Sequence, residues 1–250
     1  MKYLYRNSLC CTVWLLVSIS LLSVACSRTS DELPATVPDD GMVNVDWLLY
    51  EEQEQGTGQY PVRILVSRYY VRLDDNYDGS DFVLLDRRAR KLFSVSHEEG
   101  NVLVIDSKPG DASLPPDIVL TEVRNEDDDA PTIAGNAPLH VQFRADDVLC
   151  YEAVVIPGLL EEVTEALTEY VELLGLRQLN SLDAVPITMQ TACFLSRYAY
   201  RPARHLREGL PVREWDAAGY QRTLVDYGEK QPVSRSLFVL PDGYEQFQID

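Results

Sequence analysis

The first half of the folded part of the chain is dominated by apolar and polar residues in alternation. Residues 43–50 alternate with a period of two, which is typical of a half-buried strand. Residues 60–73 form a longer β-rich run whose apolar positions change phase, which predicts one strand with a bulge or bend. Short apolar runs follow at residues 82–85, 91–96 and 101–105, separated by turn-like segments. Together they predict an antiparallel meander.

The second half predicts helices placed between strands. One strand is predicted within the looser region at residues 117–123, and two more at residues 139–143 and 148–156. The clearest helix follows Pro157-Gly158, where apolar residues recur at helical spacing while glutamates cover the other face. Its apolar stripe consists of Leu160, Val163, Leu167, Tyr170, Val171 and Leu174.

The rest of the chain returns to strands. Gly175 can end or weaken the main helix; the alternative is that residues 176–182 continue its apolar stripe. Residues 189–200 predict a shorter second helix. Strands are then predicted at residues 210–215, 220–227 and 236–240. This order predicts an α+β fold in which both helices pack on one face of an antiparallel sheet.

The N-terminus carries a targeting pattern. Lys2 and Arg6 precede an uncharged, mostly apolar run at residues 9–25, and small residues precede Cys26. This is the layout of a secretory signal with a small-residue cleavage site, and with Cys26 as the first mature residue it resembles the bacterial lipoprotein signal. Two alternatives stay open: an uncleaved membrane anchor and a plain secretory signal cut near Ala25.

The resemblance implies a division of the chain into three parts. Residues 1–25 would be a signal peptide and residues 26–41 a disordered tether, because that stretch is polar and Pro-containing. Residues 42–250 would form a single domain. Lipid on Cys26 would hold this domain to a membrane of the bacterial cell envelope. By resemblance to enterobacterial sorting rules, Ser27 implies the outer membrane, with the protein facing the periplasm.

Five cysteines constrain the oxidation state. Cys10 and Cys11 would leave with the signal and Cys26 would carry lipid, so Cys150 and Cys193 remain. In an oxidising compartment this even remainder predicts a disulfide. The alternative is two buried free thiols.

The charge balance is strongly acidic. The formal net charge is −18, and removal of Lys2 and Arg6 with the signal leaves 20 basic and 40 acidic residues, a net charge of −20. Such a chain disfavours nucleic acid and has no general attraction to an anionic membrane. Solubility is the simplest reason for this charge.

Two clusters could carry chemistry. Asp74, Asn76 and Asp78 match the start of a calcium loop, but Leu85 stands where the EF-hand requires Glu; a hairpin turn is the main interpretation and a looser calcium site the alternative. An arginine group could bind an anionic head group, a glycan or an acidic partner, or could pair with the protein's own acids. Its members are Arg197, Arg201, Arg204, Arg207 and Arg213.

A smaller basic group, residues 87–91, lies at a predicted hairpin tip and is interpreted as a solvated turn or edge protection. No motif indicates a catalytic residue, a resident metal or a cofactor.

Two sequence segments suggest a family resemblance. DFVLLDRRARKLFSV at residues 81–95, with the strand at 101–105, resembles the meander hairpins of periplasmic lipoprotein carriers and related uncharacterised lipoproteins. LFVLPDGY at residues 237–244 is similar to the close of some of those uncharacterised families. The resemblance implies a curved, half-barrel-like sheet with helices against its concave side. In the carriers, the cavity there holds acyl chains.

These observations predict a non-enzymatic, lipid-anchored envelope protein that binds a hydrophobic ligand or an envelope protein. One alternative is an enzyme or enzyme accessory that acts on envelope glycan or lipid through the region 197–213. A structural calcium-binding module is the other. The packing of the apolar helix stripe distinguishes binding of a hydrophobic ligand from binding of a protein. If the stripe packs fully on the sheet, no cavity remains for acyl chains.

Overall fold

The computed structural model describes residues 41–106, 113–126 and 130–249; the signal, Cys26 and nearly all of the predicted tether lie outside them. The sheet strands, in chain order, are β1 Met42–Gln53, β2 Tyr60–Val66, β3 Tyr70–Asp74, β4 Phe82–Asp86, β5 Lys91–Ser96, β6 Asn101–Asp106, β7 Leu120–Glu126, β8 Leu139–Ala145, β9 Val148–Ile156, β10 Leu210–Trp215, β11 Gln221–Ser234 and β12 Glu245–Ile249.

All twelve strands belong to one open, curved sheet. Their order across the sheet is β12-β6-β5-β4-β3-β2-β1-β11-β10-β9-β8-β7. Strands β1 to β6 therefore form the predicted meander, and β7 to β11 form a second wing joined to it through the β1–β11 pair. Every neighbouring pair is antiparallel except β12 and β6, which run parallel. The predicted α+β class is confirmed, with one parallel pair that the sequence interpretation did not contain.

The helices are inserted between β9 and β10. The main helix, α1, spans Glu161–Asn180. A short helix follows, α2 over Ala192–Phe194, and continues as a π-helix over Leu195–Tyr200. Single 3₁₀ turns occur at Leu182–Ala184, Ile187–Met189, His205–Arg207 and Arg235–Phe238. The two predicted helices are therefore present, although the second begins at Ala192 rather than at residue 189.

Gly175 lies inside α1 and does not end it. A Cβ built at this position would lie 2.8 Å from Pro202 Cγ and 2.9 Å from the carbonyl oxygen of Ala199. The glycine therefore permits the segment that follows the π-helix to approach α1 closely. Of the alternatives for Gly175, the helix end is not observed, and α1 continues past it to Asn180. Tertiary contact, rather than termination, explains the residue.

The main core lies between α1 and the sheet, where α1 contacts β3 and β10. On the helix, Val163 and Ala166 are fully buried, and Leu167 and Leu173 nearly so. The sheet contributes apolar side chains from both wings, including Leu48, Ile64, Val71, Leu85, Leu92, Ile156 and Leu210. The stripe predicted from helical spacing is largely packed against these residues, while Leu174 remains 37% exposed.

The opposite face of the meander is covered by the 3₁₀ turn Arg235–Phe238. Leu237 and Phe238 pack there against Phe82, Phe93 and Val102. Ser234 begins the turn, because its side-chain oxygen accepts from the backbone N–H of Ser236. The strand predicted at residues 236–240 was therefore wrong: local capping and burial of two adjacent residues on one face favour a turn over a strand.

Other element boundaries differ from the predictions. Residues 60–73 form two strands, β2 and β3, joined by a tight turn in which Ser67 and Tyr70 exchange hydrogen bonds. The strand predicted at 117–123 begins at Leu120. The strand predicted at 220–227 extends to Ser234. The C-terminal strand β12 was not predicted, because its residues are mostly exposed and its apolar content is low.

Candidate functional site

The structure does not bring the five predicted arginines into one site. Arg204 is buried, and the Arg197 side chain is only 13% exposed. Arg197 pairs with Asp216 at 2.6 Å, and Arg204 binds Glu122 at 2.6 Å. Arg204 also donates to backbone carbonyls of β7 and β8. Both side chains therefore join the helical insert to the sheet and are neutralised by the protein's own carboxylates.

The other three arginines have different surroundings. Arg213 is exposed, and its guanidinium carbon is 5.1 Å from the ring centre of Trp215. Arg207 lines a cleft beside the start of α1. Arg201 donates to the carbonyl oxygen of Tyr200 at 2.6 Å.

A cluster that the sequence interpretation missed lies at the edge of the core, where β1, β10 and β11 meet the turn His205–Arg207. Arg222 lies between Glu52 and Glu214, with nitrogen–oxygen distances of 3.1 Å and 3.7 Å. Its guanidinium carbon is 3.7 Å from the ring centre of Tyr50. His205 Nε2 lies 3.6 Å from Glu214 Oε1. The cluster therefore places two carboxylates, one guanidinium cation and one imidazole close together.

Burial controls the protonation of this cluster. It lowers the pKa of His205 below the ordinary value of 6.5, although the Glu214 carboxylate opposes that shift. Burial also raises the pKa of the Glu52 carboxyl, which Arg222 partly counteracts. The neutral imidazole of His205 is therefore favoured. Its Nδ1 has no hydrogen-bond partner among the described residues.

The signal for this cluster was present in the sequence but weak. Tyr50 and Glu52 lie two residues apart on β1, so they share a face with the buried Leu48. Glu214 and Arg222 are directly opposite in the β10–β11 register. Charged residues at inward positions of strands indicate a buried ionic group. The pairing of β1 with β11, which brings these residues together, could not be predicted from the sequence because the two strands are far apart in the chain.

The turn that resembles a calcium loop has its carboxylates already engaged. Asp74 accepts from Arg63 at 2.8 Å and from Arg72 at 2.7 Å, and Asp78 pairs with Arg63 at 2.7 Å. Asn76 adopts a left-handed conformation with φ of 70°. Within the described ranges, no group of three or more His, Cys, Asp or Glu residues could hold a metal ion. The geometry is that of a hairpin turn closed by arginine–aspartate pairs.

Two clefts border α1. One, of about 390 Å³, lies at the start of the helix and is lined in part by Glu161, Glu165, Arg207 and Glu208. The other, of about 490 Å³, lies between α1 and the near end of β1 and is lined in part by Asp46, Glu162, Glu165 and Arg87. Their charged linings fit polar groups better than acyl chains.

The predicted disulfide is confirmed. Cys150 on β9 is bonded to Cys193 on α2, with a Cα–Cα distance of 5.2 Å. The bond fastens the short helix to the second wing, next to the apolar group formed by Val141, Phe143, Tyr151 and Val155. No helix in the described part of the chain is long and apolar enough to cross a bilayer.

Comparison with known proteins gives no family. No protein-family model and no curated protein matches the chain. A crystal structure of an uncharacterized conserved protein from Thermus thermophilus is 9% identical, with a TM-score of 0.40 over 83% of this chain and 91% of that one.

Two crystal structures of PNGF-II also match. In space group C2 it is 8% identical with a TM-score of 0.39, and in P21 it is 7% identical with a TM-score of 0.40. Each match covers 83% of this chain, but only 31% and 32% of PNGF-II. These likenesses are too distant to support an argument about function.

Proposed function

We propose that this chain is a lipid-anchored protein of the bacterial cell envelope that binds an envelope protein without catalysing a reaction. The signal is cut before Cys26, that cysteine carries the lipid, and the domain faces the periplasm from the outer membrane. The observation that carries the proposal is the Cys150–Cys193 disulfide. Such bonds persist in oxidising compartments, and this one leaves Cys26 as the single mature cysteine for lipid.

Packing of α1 favours a protein partner over a hydrophobic ligand. In a carrier-like protein, the face of the sheet under the helix would hold acyl chains. Here Val163, Ala166 and Leu167 occupy that face together with apolar side chains of the sheet. Binding at an outer surface is therefore better supported than binding of acyl chains in the interior.

The enzymatic alternative has less support. An enzyme acting on anionic glycan or lipid through residues 197–213 needs an arginine and a carboxylate that both face a substrate. Arg197 and Arg204 instead bind Asp216 and Glu122 of the same chain. The calcium alternative is weakened in the same way, since arginines neutralise Asp74 and Asp78.

Mass spectrometry of the mature protein tests the anchor. The full chain would be expressed in a Gram-negative host, extracted from the membrane fraction and digested for analysis of its first peptide. We expect that peptide to begin at Cys26 and to carry diacylglycerol, and we expect Cys26→Ser to remove the lipid and release the protein from the washed membrane. An unmodified N-terminus cut at another residue would refute the anchor.

Cross-linking in intact cells tests the binding mode. We expect the lipidated protein to cross-link to a defined envelope protein and to carry no stoichiometric lipid, beyond its anchor, in native mass spectrometry. Co-purification of one acyl ligand per chain would refute the protein-binding version and favour the hydrophobic ligand.

A further inference from the structure

Two hairpin tips meet at one end of the meander. The β2–β3 turn carries Arg68 and Tyr69, and the β4–β5 turn carries Arg88 and Arg90. The backbone N–H of Arg87 donates to the carbonyl oxygen of Tyr69 at 2.9 Å, which holds the turns side by side. We name the group formed by Arg68, Tyr69, Arg88 and Arg90 the arginine–tyrosine tip.

The cations of this tip are arranged on an aromatic ring. The guanidinium carbons of Arg88 and Arg68 lie 4.5 Å and 5.3 Å from the ring centre of Tyr69, which is itself 40% exposed. Cation–π contacts of this kind restrict the long arginine side chains. Binding by the tip would therefore lose less side-chain entropy than binding by free arginines.

Their guanidinium groups form no close ion pair in the described part of the chain, although Arg68 lines one cleft together with Asp46, Glu162 and Glu165. Arg68, Arg88 and Arg90 are exposed, and within the described ranges none of them forms an ion pair with a carboxylate. Neighbouring Arg87 differs, because it binds Glu169 of α1 at 2.6 Å. In a chain with twice as many acidic as basic mature residues, two exposed arginines over one exposed tyrosine, with Arg90 in the same turn as Arg88, form a local basic surface.

The position of the tip indicates which partner. Asp46 of β1 is opposite Val66 of β2, so the start of β1 and the turn after β2 point to the same end of the sheet. Neighbouring strands are about 4.8 Å apart, which places the two turns of the tip roughly 5–20 Å to the side of β1. The chain therefore enters the fold at the end that carries the tip.

We propose that the arginine–tyrosine tip binds the anionic phospholipid head groups of the membrane that holds the lipid on Cys26. This inference rests on the proposed lipid anchor, because the anchor makes the end of the sheet at Met42 the end nearest the membrane. Residues 26–41 span at most about 58 Å when extended. A tether of that length allows the tip to contact the membrane surface and also to dissociate from it.

The chemistry of the tip fits this surface. Guanidinium groups bind phosphate oxygens in a bidentate manner, and tyrosine is favoured where membrane meets water. The overall negative charge does not prevent the contact, because the Debye length at physiological salt is about 8 Å. Charges beyond that distance are screened. Asp46, Glu162 and Glu165 line a cleft with Arg68 and reduce the contribution of that arginine, so Arg88 and Arg90 carry most of the contact.

Vesicle binding by the unlipidated protein tests this proposal. The mature chain from residue 26 onwards, with Cys26→Ser, would be mixed with phosphatidylcholine vesicles that contain or lack about one-third phosphatidylglycerol. We expect binding only to the anionic vesicles, weakened by added salt. An arginine near such a surface contributes about fivefold to binding, so Arg88→Glu, which also adds repulsion, should weaken binding about 20-fold.

A matched control separates the tip from overall charge. Arg213 is also exposed and also lies over an aromatic ring, but it lies towards the other end of the sheet, because its neighbour Trp215 pairs with Gln221 opposite the end of β1. Arg213→Glu changes the net charge equally and should alter binding less than twofold. Unchanged thermal melts would show that both variants fold.

Three outcomes would overturn the proposal: no binding to anionic vesicles, an equal loss in both variants, or binding by the tip to an acidic protein in place of vesicles. Because this assay lacks the lipid, its result is independent of the anchor. An unlipidated N-terminus in mass spectrometry would instead refute the proposed anchor, whatever the vesicles show.

Discussion

The fully buried Arg72 offers the sharpest test of what holds the meander together. Its side chain is 2% exposed, and each of its guanidinium nitrogens donates a hydrogen bond. Nε donates to Asp74 at 2.7 Å, Nη1 to the carbonyl oxygen of Leu237 at 2.7 Å, and Nη2 to that of Asp78 at 3.2 Å. It also lies 3.9 Å from the ring centre of Phe82. Arg72 therefore fastens the turn Arg235–Phe238 to the sheet.

The expected effect of Arg72→Met follows from these contacts. A hydrogen bond to a charged group contributes about 1.5–3 kcal/mol. Methionine is apolar and flexible enough to fill much of the space, and Asp74 keeps two bonds from Arg63. The buried carbonyl of Leu237, however, loses its donor. We expect the free energy of unfolding to fall by about 3 kcal/mol.

Two neighbouring variants give a ranking. Arg63→Met should lower the free energy of unfolding by only about 1 kcal/mol. The Asp74 carboxylate still accepts a hydrogen bond from Arg72, and the lost ion pair between Arg63 and Asp78 involves an exposed aspartate. Asp74→Ala should have the largest effect, about 3–5 kcal/mol, because it leaves two guanidinium groups without their shared carboxylate. The order of destabilisation is therefore Asp74→Ala, then Arg72→Met, then Arg63→Met.

Urea denaturation followed by circular dichroism, with the disulfide intact, measures these differences. The effect of Arg72→Met should change little between about 0.15 M and 0.5 M NaCl, because buried charges are weakly screened. A larger destabilisation by Arg63→Met than by Arg72→Met would contradict the role of Arg72 as the fastening residue. So would a loss of less than about 1 kcal/mol in the free energy of unfolding for Arg72→Met.

Three further predictions concern the disulfide, the buried histidine and the helix glycine. Replacing Cys150 and Cys193 by alanine should lower the free energy of unfolding by about 4 kcal/mol, since the bond closes a loop with a sequence separation of 43. Reductant should have no effect on the melting temperature of this double variant. A remaining effect of reductant would contradict the pairing. The pKa of His205 is lowered on folding. The unfolded chain therefore takes up its proton first, and the free energy of unfolding should fall as the pH drops below about 6.5. In urea titrations, His205→Gln should reduce this dependence of stability on pH, and an unchanged dependence would exclude His205 as its cause. Gly175→Ala should lower the free energy of unfolding by about 1–3 kcal/mol through overpacking, and so lower the melting temperature, despite the better helix propensity of alanine. Gly58→Ala, whose added Cβ meets no atom within 4 Å, should leave the melting temperature unchanged. Equal melting temperatures for the two variants would show that the close approach at Gly175 does not limit stability.

Local pattern was sufficient for most strands and for the main helix. The alternation at residues 43–50, the short runs of the meander and the stripe of α1 all have one face that must leave water. Their periods of two and about 3.6 residues therefore predict the correct elements. Errors occurred where local chemistry and burial conflict, as at residues 236–240, where an apolar run became a turn covering the second face of the sheet.

The arginines show where sequence proximity misleads. Arg197, Arg204 and Arg213 lie close along the chain, yet two are paired with carboxylates from other strands and turns and the third lies exposed against Trp215. The ionic cluster around Arg222 joins residues from β1, β10, β11 and a 3₁₀ turn. Neither arrangement could be predicted, because each depends on which strands pair.

By itself, the sequence determined the class of the fold, the meander, the main helix and the likeness of its N-terminus to a lipoprotein signal. These features follow from short-range periodicity and composition, which each segment carries alone. Cysteine parity also predicted the disulfide that the structure contains. Only the tertiary structure decided the parallel β12–β6 pair, the partners of the buried charges and the meeting of two turns in the arginine–tyrosine tip. Those arrangements depend on contacts between segments far apart in the chain, whose register is set by the packing of the whole sheet.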